Sequence, residues 1–167
     1  MNVLIAVDSR HGSTAQIANT IALQLVTHDI RSTVLHPAEV SGVAGYDAVI
    51  IGSAVYTGHW LKDAKKLVTR EKAHLSERPV WLFSSGPIGD PLVPDEPPLE
   101  IDGLRDLVGA REHRVFPGRL DRSELGLLEK AVVSGLHVPE GDYRDWEEVR
   151  RFADSIAEAL KPVHSAG

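Results

Sequence analysis

The sequence predicts an α/β domain of three layers, with a five-stranded parallel sheet in the order 2-1-3-4-5 and helices on both faces. Three observations carry this prediction. Short apolar runs alternate with helix-spaced segments along the chain, which implies βαβ crossovers. The runs at Val3–Val7, Ala48–Gly52 and Pro79–Phe83 are nearly uninterrupted, as strands buried on both faces require. The length of 167 residues suits one domain with one core.

The elements follow in order. Val3–Val7 is the first strand. Residues 14–27 read as a helix, with Ile17, Ile21 and Leu25 on one face and Ala18 and Ala22 beside them. Arg31–His36 alternates polar and apolar side chains and belongs at a sheet edge. The segment from Pro37 to Gly45 is too short for a regular helix and is read as a degenerate one. Ala48–Gly52 is the third strand. Trp60–His74 reads as one helix with Leu61, Ala64 and Val68 facing inward. Pro79–Phe83 is a central strand, residues 101–110 a short helix, and His113–Phe116 the last strand. Asp145 with Glu148 resembles a capping box, and Trp146, Val149, Ala153, Ile156 and Leu160 then trace one stripe. Two segments depart from this pattern. Residues 87–98 hold five prolines and read as a stiff extended loop. Residues 121–139 carry Leu125, Leu128, Val132 and Leu136 at helical spacing, a stripe that could pack on the domain, pair two subunits or touch a membrane surface; packing is the preferred reading. Residues 1–162 are expected to form one domain and 163–167 a frayed tail.

Composition narrows the function. The chain has no cysteine, which excludes disulfides, thiolate metal sites, Fe–S clusters and cysteine nucleophiles. The net charge is −6 and no Lys/Arg cluster stands out, so no nucleic-acid partner is expected. Lys65-Lys66 reads as a solvated helix face. No apolar run approaches the roughly 20 residues that span a bilayer, and the N-terminus does not read as a signal peptide. A cytoplasmic location is expected. The remaining histidines, His28, His36, His74, His113, His137 and His164, show no ligand spacing, so no metal is assigned.

Ligands of such a sheet sit at the carboxyl ends of the strands, near the switch point between strands one and three. The loop Ser9-Arg10-His11-Gly12-Ser13-Thr14 lies there. It joins a buried strand to a helix and offers hydroxyls at Ser9, Ser13 and Thr14 around Gly12. A helix N-terminus presents unpaired N–H groups and partial positive charge, which suits a phosphate. By itself the loop is equally a turn with a plain N-cap. The Walker pattern GxxxxGK[ST] and the dinucleotide pattern GxGxxG are both absent at this turn. A receiver domain is rejected: Asp8 is present, but the third strand ends in Ser53 rather than aspartate.

Ser9-x-x-Gly12-Ser13-Thr14 resembles the flavodoxin loop that holds the phosphate of flavin mononucleotide (FMN), with His11 in place of the usual threonine. The second loop, Gly52-Ser53-Ala54-Val55-Tyr56-Thr57-Gly58-His59-Trp60, stands where flavodoxins hold one side of the isoalloxazine ring. Gly58-His59 followed by an aromatic residue, the stretch Asp145-Trp146-Glu147-Glu148-Val149 and an insertion at 121–142 resemble the flavodoxin-type, menaquinone-dependent protoporphyrinogen oxidases. The insertion is shorter and more acidic here than in that branch. The resemblance implies a flavodoxin-like fold and FMN as cofactor. It implies cofactor contacts from Ser9, Arg10, His11, Gly12, Ser13 and Thr14, from Ser53, Ala54, Val55, Tyr56, Thr57, Gly58 and His59, and from Ser84, Ser85, Gly86 and Pro87. Tyr56 would stack on the ring, and Ser84–Gly86 would meet its pyrimidine edge. Trp60 and Trp146 read as packing residues.

The flavin would then carry the chemistry, with no catalytic side chain assigned. The leading expectation is an FMN-dependent oxidoreductase similar to protoporphyrinogen oxidase, with a small-molecule or quinone electron acceptor or a redox partner, and with a homodimer left open. The alternatives are an electron-transfer flavodoxin, which the charge of −6 favours, and a flavodoxin-like domain that binds a deazaflavin or no flavin.

Overall fold

A computed structural model describes residues 1–86, 97–121, 123, 125–126, 130, 134 and 140–163. Pro87, most of the proline-rich loop, and Leu128, Val132 and Leu136 of the 121–139 stripe lie outside the described residues.

Ten apolar or small residues in two runs, Val3–Val7 and Ala48–Gly52, set the centre of the sheet. β1 (Asn2–Asp8) and β3 (Ala48–Tyr56) pair in parallel, with Val3 opposite Ala48 and Val7 opposite Gly52. β2 (Arg31–Leu35) pairs with the outer side of β1, β5 (Val80–Ser85) with β3, and β6 (Glu112–Phe116) with β5. The five long strands therefore run β2-β1-β3-β5-β6, all parallel, in the expected order.

Alternation along β1 divides the core. Val3, Ile5 and Val7 face a layer made by α1 (Ser13–Val26) and the C-terminal helix α5 (Trp146–Leu160). Leu4 and Ala6 face the opposite layer, made by α2 (Lys62–Arg70), α3 (Lys72–Leu75) and α4 (Ile101–Val108). In the first layer Phe83, Phe116 and Phe152 pack edge to face, with ring centroids 5.9 and 5.5 Å apart. Such pairs contribute about 1 kcal/mol each beyond their buried area.

The degenerate helix between β2 and β3 is a single 3-10 turn at Pro37–Glu39. Its surroundings would leave carbonyls unpaired, and arginines from the second layer take them. Arg78 Nη1 donates to the carbonyls of Val43, Ala44 and Tyr46, and Arg70 Nη2 to that of Val40. Glu71 accepts from the Val43 N–H. Glu71 is also where the expected single helix at 60–74 breaks into α2 and α3, with φ −101° and ψ 10°. The buried Glu71 carboxylate reaches the 37–47 link from that break.

The second loop departs further from expectation. β3 continues to Tyr56 and turns through Thr57-Gly58 into β4 (His59–Trp60), which pairs antiparallel with it. Thr57 (φ 49°) and Gly58 (φ 80°) both have positive φ, the requirement of a tight two-residue hairpin. A second small ribbon joins β7 (Arg119–Leu120) to β8 (Gly141–Asp142) just before α5.

Candidate functional site

The carboxyl ends of β1, β3 and β5 bring three segments to one edge of the sheet. The first is the Ser9–Thr14 turn. Gly12 adopts φ 84°, which a glycine reaches at no steric cost. Ser9 Oγ accepts the Gly12 N–H at 3.0 Å and closes the turn. Among the described residues no side chain caps α1, and its first turn holds no acidic residue. A Cβ on Gly12 would meet nothing within 4 Å, so the space over this helix start is open. Of the alternatives left by the sequence, a plain side-chain N-cap is not what forms. Thr14 is buried at the base of the turn.

The hairpin supplies the second segment. Tyr56 and His59 are register partners and so share one face of the ribbon, while Val55 and Trp60 share the other. Trp60 points into the core and is 2% exposed. The Arg10 guanidinium stands 4.3 Å from the centre of the Tyr56 ring, joining the first turn to the hairpin. A cation over this ring contributes about 1 kcal/mol at a partly exposed site.

The third segment is Ser84-Ser85-Gly86. Both serines are buried. Trp60 Nε1 donates to Ser84 Oγ at 2.7 Å, and Ser84 Oγ lies 2.7 Å from His113 Nε2. Burial, reinforced by Arg105, lowers the His113 pKa to about 4 against the opposing pull of Asp102 and Glu112. A neutral ring lets Ser84 O–H donate to Nε2, so the chain runs Trp60 to Ser84 to His113. Ser53 Oγ likewise accepts from the Leu61 N–H at 2.9 Å and donates to the Ala54 carbonyl. These two hydroxyls brace the floor, which leaves Gly86 as the surface of the segment. Its N–H donates to Phe116, and a Cβ there would stand 3.3 Å from Val55 Cβ.

Two residues that the sequence did not single out complete the site. Arg144, its side chain 5% exposed, is gripped by both oxygens of Asp142 at 2.8 and 2.7 Å. It donates to the Ser13 carbonyl and to Gln16 Oε1, tying the β7–β8 ribbon to the first turn of α1, and it stacks 4.5 Å from the Trp146 ring. The Arg144 hydrogen bond holds the Asp142 carboxyl below its usual range despite partial burial. Glu100, at the start of α4, accepts from the Trp60 N–H at 2.7 Å and from His59 Nδ1 at 2.9 Å. Burial pushes its carboxyl up, but those two bonds and Lys65 outweigh it and hold it below the usual range.

Beneath the first turn, Asp8, His36 and Asp63 each bring a potential ligand atom within 4.8 Å of the others. His36 Nδ1 accepts the Ala38 N–H, so the ring proton sits on Nε2 and points to Asp8 Oδ1 at 3.3 Å. Asp8 Oδ2 accepts from the Ala64 N–H in the first turn of α2. With both ring nitrogens committed, the group is a hydrogen-bonded brace under the turn rather than a preformed ligand set.

Fold and site together define a doubly wound α/β domain with an open helix start and an aromatic hairpin face at its switch point. The chain belongs to the flavodoxin domain family, whose model matches residues 4–146. It is similar in structure to a flavodoxin from the domain Archaea (TM-score 0.66, 16% identity, covering 97% of this chain and 100% of that one). It is also similar to an NADH:FMN oxidoreductase in its apo form (TM-score 0.62, 13% identity, covering 98% and 92%). Against rubredoxin oxygen:oxidoreductase from the anaerobe Desulfovibrio gigas the TM-score is 0.66 at 16% identity, with 95% of this chain spanning only 36% of that one. No curated protein matches the chain. Family membership implies FMN as the cofactor, and the open, uncapped start of α1 fits its phosphate.

Proposed function

We propose that the chain seats the FMN phosphate on the α1 start at Gly12-Ser13-Thr14 and lays the ring between the Tyr56–His59 hairpin and Ser84–Gly86. The carrying observation is the α1 N-terminus itself: Gly12 at φ 84°, no side-chain cap and no acidic residue in the first turn. FMN supplies hydride and electron exchange when bound; the protein binds, orients and shields it. Arg10, His11, Ser9, Ser53, Ala54, Val55 and Thr57 belong to the same proposed envelope.

The decisive comparison is FMN against riboflavin, which lacks the phosphate. In Ser13→Asp a carboxylate enters the seat. FMN affinity is expected to fall at least about tenfold, equivalent to about 1.4 kcal/mol, while riboflavin affinity stays put. The helix itself gains from an acidic first turn, so lost stability cannot account for the result. An equal loss for both ligands overturns the phosphate assignment. Mass spectrometry of the cofactor released from purified protein distinguishes FMN from a deazaflavin.

Within this frame we favour an oxidoreductase with its own small-molecule substrate, of the kind the protoporphyrinogen oxidase resemblance suggests. Its support is that the motifs carrying the resemblance lie against the site: Gly58-His59 on the hairpin, and Trp146 beside the Arg144 that touches Ser13. The net charge of −6 favours the second reading, an electron carrier that docks a redox partner. Reductive titration separates them: electrons entering in pairs support the enzyme, and electrons entering singly support the carrier.

A further inference from the structure

α2 gathers its charge on one side. Lys62, Lys65, Lys66, Thr69 and Arg70 recur at helical spacing and together line a shallow surface pocket of about 530 Å³. In the sequence only Lys65-Lys66 stand together; the helix aligns two further cations with them. Lys62, Lys66 and Arg70 are exposed. Lys65 Nζ lies 3.5 Å from Glu100 and Arg70 Nε 3.5 Å from Glu71, while among the described residues Lys62 and Lys66 form no ion pair.

This arrangement works against the helix. Lys62 with Lys66, and Lys66 with Arg70, are like charges four positions apart, and such pairs repel on a helix surface. Lys62 also stands in the first turn, at the positive end of the helix dipole. Asp63, the one acidic residue of α2, lies 3.9 Å from His36. Among the described residues nothing neutralises Lys62 and Lys66, whereas an opposed acidic surface would.

We propose that this face of α2 docks an acidic face of a partner protein. Length and charge set the occupant. The stripe from Lys62 to Arg70 is about 12 Å long, the scale of a patch on a protein. The net charge of −6 already includes these four cations, so the remainder of the chain is more acidic still. That remainder opposes a polyanion that runs on past the stripe, such as a nucleic acid or an anionic membrane, but not a compact acidic patch confined to it. The Ala64 N–H, in the first turn of α2, donates to Asp8 at the end of β1, and Lys65 reaches the carboxylate that holds the Trp60 N–H. A partner on the stripe therefore sits beside the hairpin of the candidate site. The proposal does not depend on what that site binds.

Two-dimensional ¹H–¹⁵N NMR of the full chain tests it, with a hexaglutamate peptide standing in for the acidic face. Titration is expected to shift the amides of residues 62–70 ahead of all others, and added salt to reverse the shifts. The double variant Lys62→Gln/Lys66→Gln keeps good helix formers at both positions. It is expected to bind the peptide on the order of tenfold more weakly and to melt no lower than the native protein. Lys62→Arg/Lys66→Arg keeps the charge and is expected to keep the binding. Unchanged binding in the glutamine variant, lost binding in the arginine variant, or shifts scattered over the surface overturn the proposal. A short DNA duplex, or vesicles of phosphatidylcholine and phosphatidylglycerol, binding residues 62–70 more tightly than the peptide also overturn it, in favour of a nucleic acid or a membrane. Shifts at 62–70 that grow with the concentration of the chain alone make a second copy the occupant and overturn it as well.

Discussion

Gly52 leaves no room for a side chain, since a Cβ there would stand 2.0 Å from the tip of the Phe83 ring. Phe83 cannot withdraw, because it is fully buried and packs on Phe116. Gly52→Ala is expected to cost about 3 kcal/mol, read as a lower urea midpoint at an unchanged m-value. Thr57 makes the opposite case. It is β-branched and held at φ 49°, a conformation that disfavours such residues by about 1–2 kcal/mol. Asn tolerates it better, so Thr57→Asn is expected to raise stability by about 0.5–1 kcal/mol in the same assay. A neutral or destabilising result would show that the threonine hydroxyl or methyl makes compensating contacts. Neither residue announces its conformation in the sequence. Gly52 reads there as the end of a strand and Thr57 as a loop residue, because the deciding contacts come from Phe83 and from the pairing of β3 with β4.

At the level of elements, what could be read from the sequence was what is fixed locally. The capping role of Asp145 is an example: its side chain accepts the Glu147 and Glu148 N–H groups, two and three positions on. Asp145→Ala is expected to cost about 1 kcal/mol, lowering the thermal midpoint by roughly 2–4 °C. The buried strands β1, β3 and β5 were legible for a similar reason, since burial on both faces imposes unbroken apolar runs. The hairpin was not legible. Ser53–Tyr56 lacks a strand-like apolar pattern, and its outer pairing partner is only two residues long. The break at Glu71 was hidden because apolar periodicity continues across it to Leu75, while its cause lies 28 positions upstream at Val43. Arg144 and Glu100 escaped notice for the same kind of reason. Each looks like one more surface charge until the fold brings it to a partner remote in sequence, 128 positions away at Gln16 for the first and 41 at His59 for the second.

At the scale of the whole molecule, the sheet is closed on the β6 side by a buried polar line rather than by apolar contact alone. Trp60 on the hairpin, Ser84 on β5 and His113 on β6 form one chain across three strands. The chain requires a neutral His113, and burial lowers its pKa from 6.5 to about 4. The consequence for stability has a definite sign. Between about pH 6.5 and 4 the unfolded chain holds a proton at this position that the folded chain does not, so stability falls as the pH drops through that window. Above it the contribution is complete. Water still reaches part of the ring, which reduces the full effect to about 2 kcal/mol. Hydrogen bonds from His59, Arg144 and His28 hold the carboxylates of Glu100, Asp142 and Asp154 below their ordinary values of 4.5, 3.8 and 3.8, so their contributions are lost mostly below this window. The groups facing His113 are Arg105, Asp102 and Glu112, and they remain when His113 is replaced. His113→Gln keeps a hydrogen-bonding partner for Ser84 and removes the titration. Urea midpoints taken from pH 7.5 to 5 are expected to fall in the native protein and to fall less steeply in the variant, with the two curves converging toward the acid end. Parallel curves would mean that His113 does not couple protonation to folding, and that the acid sensitivity of the β5–β6 edge lies in its other charges.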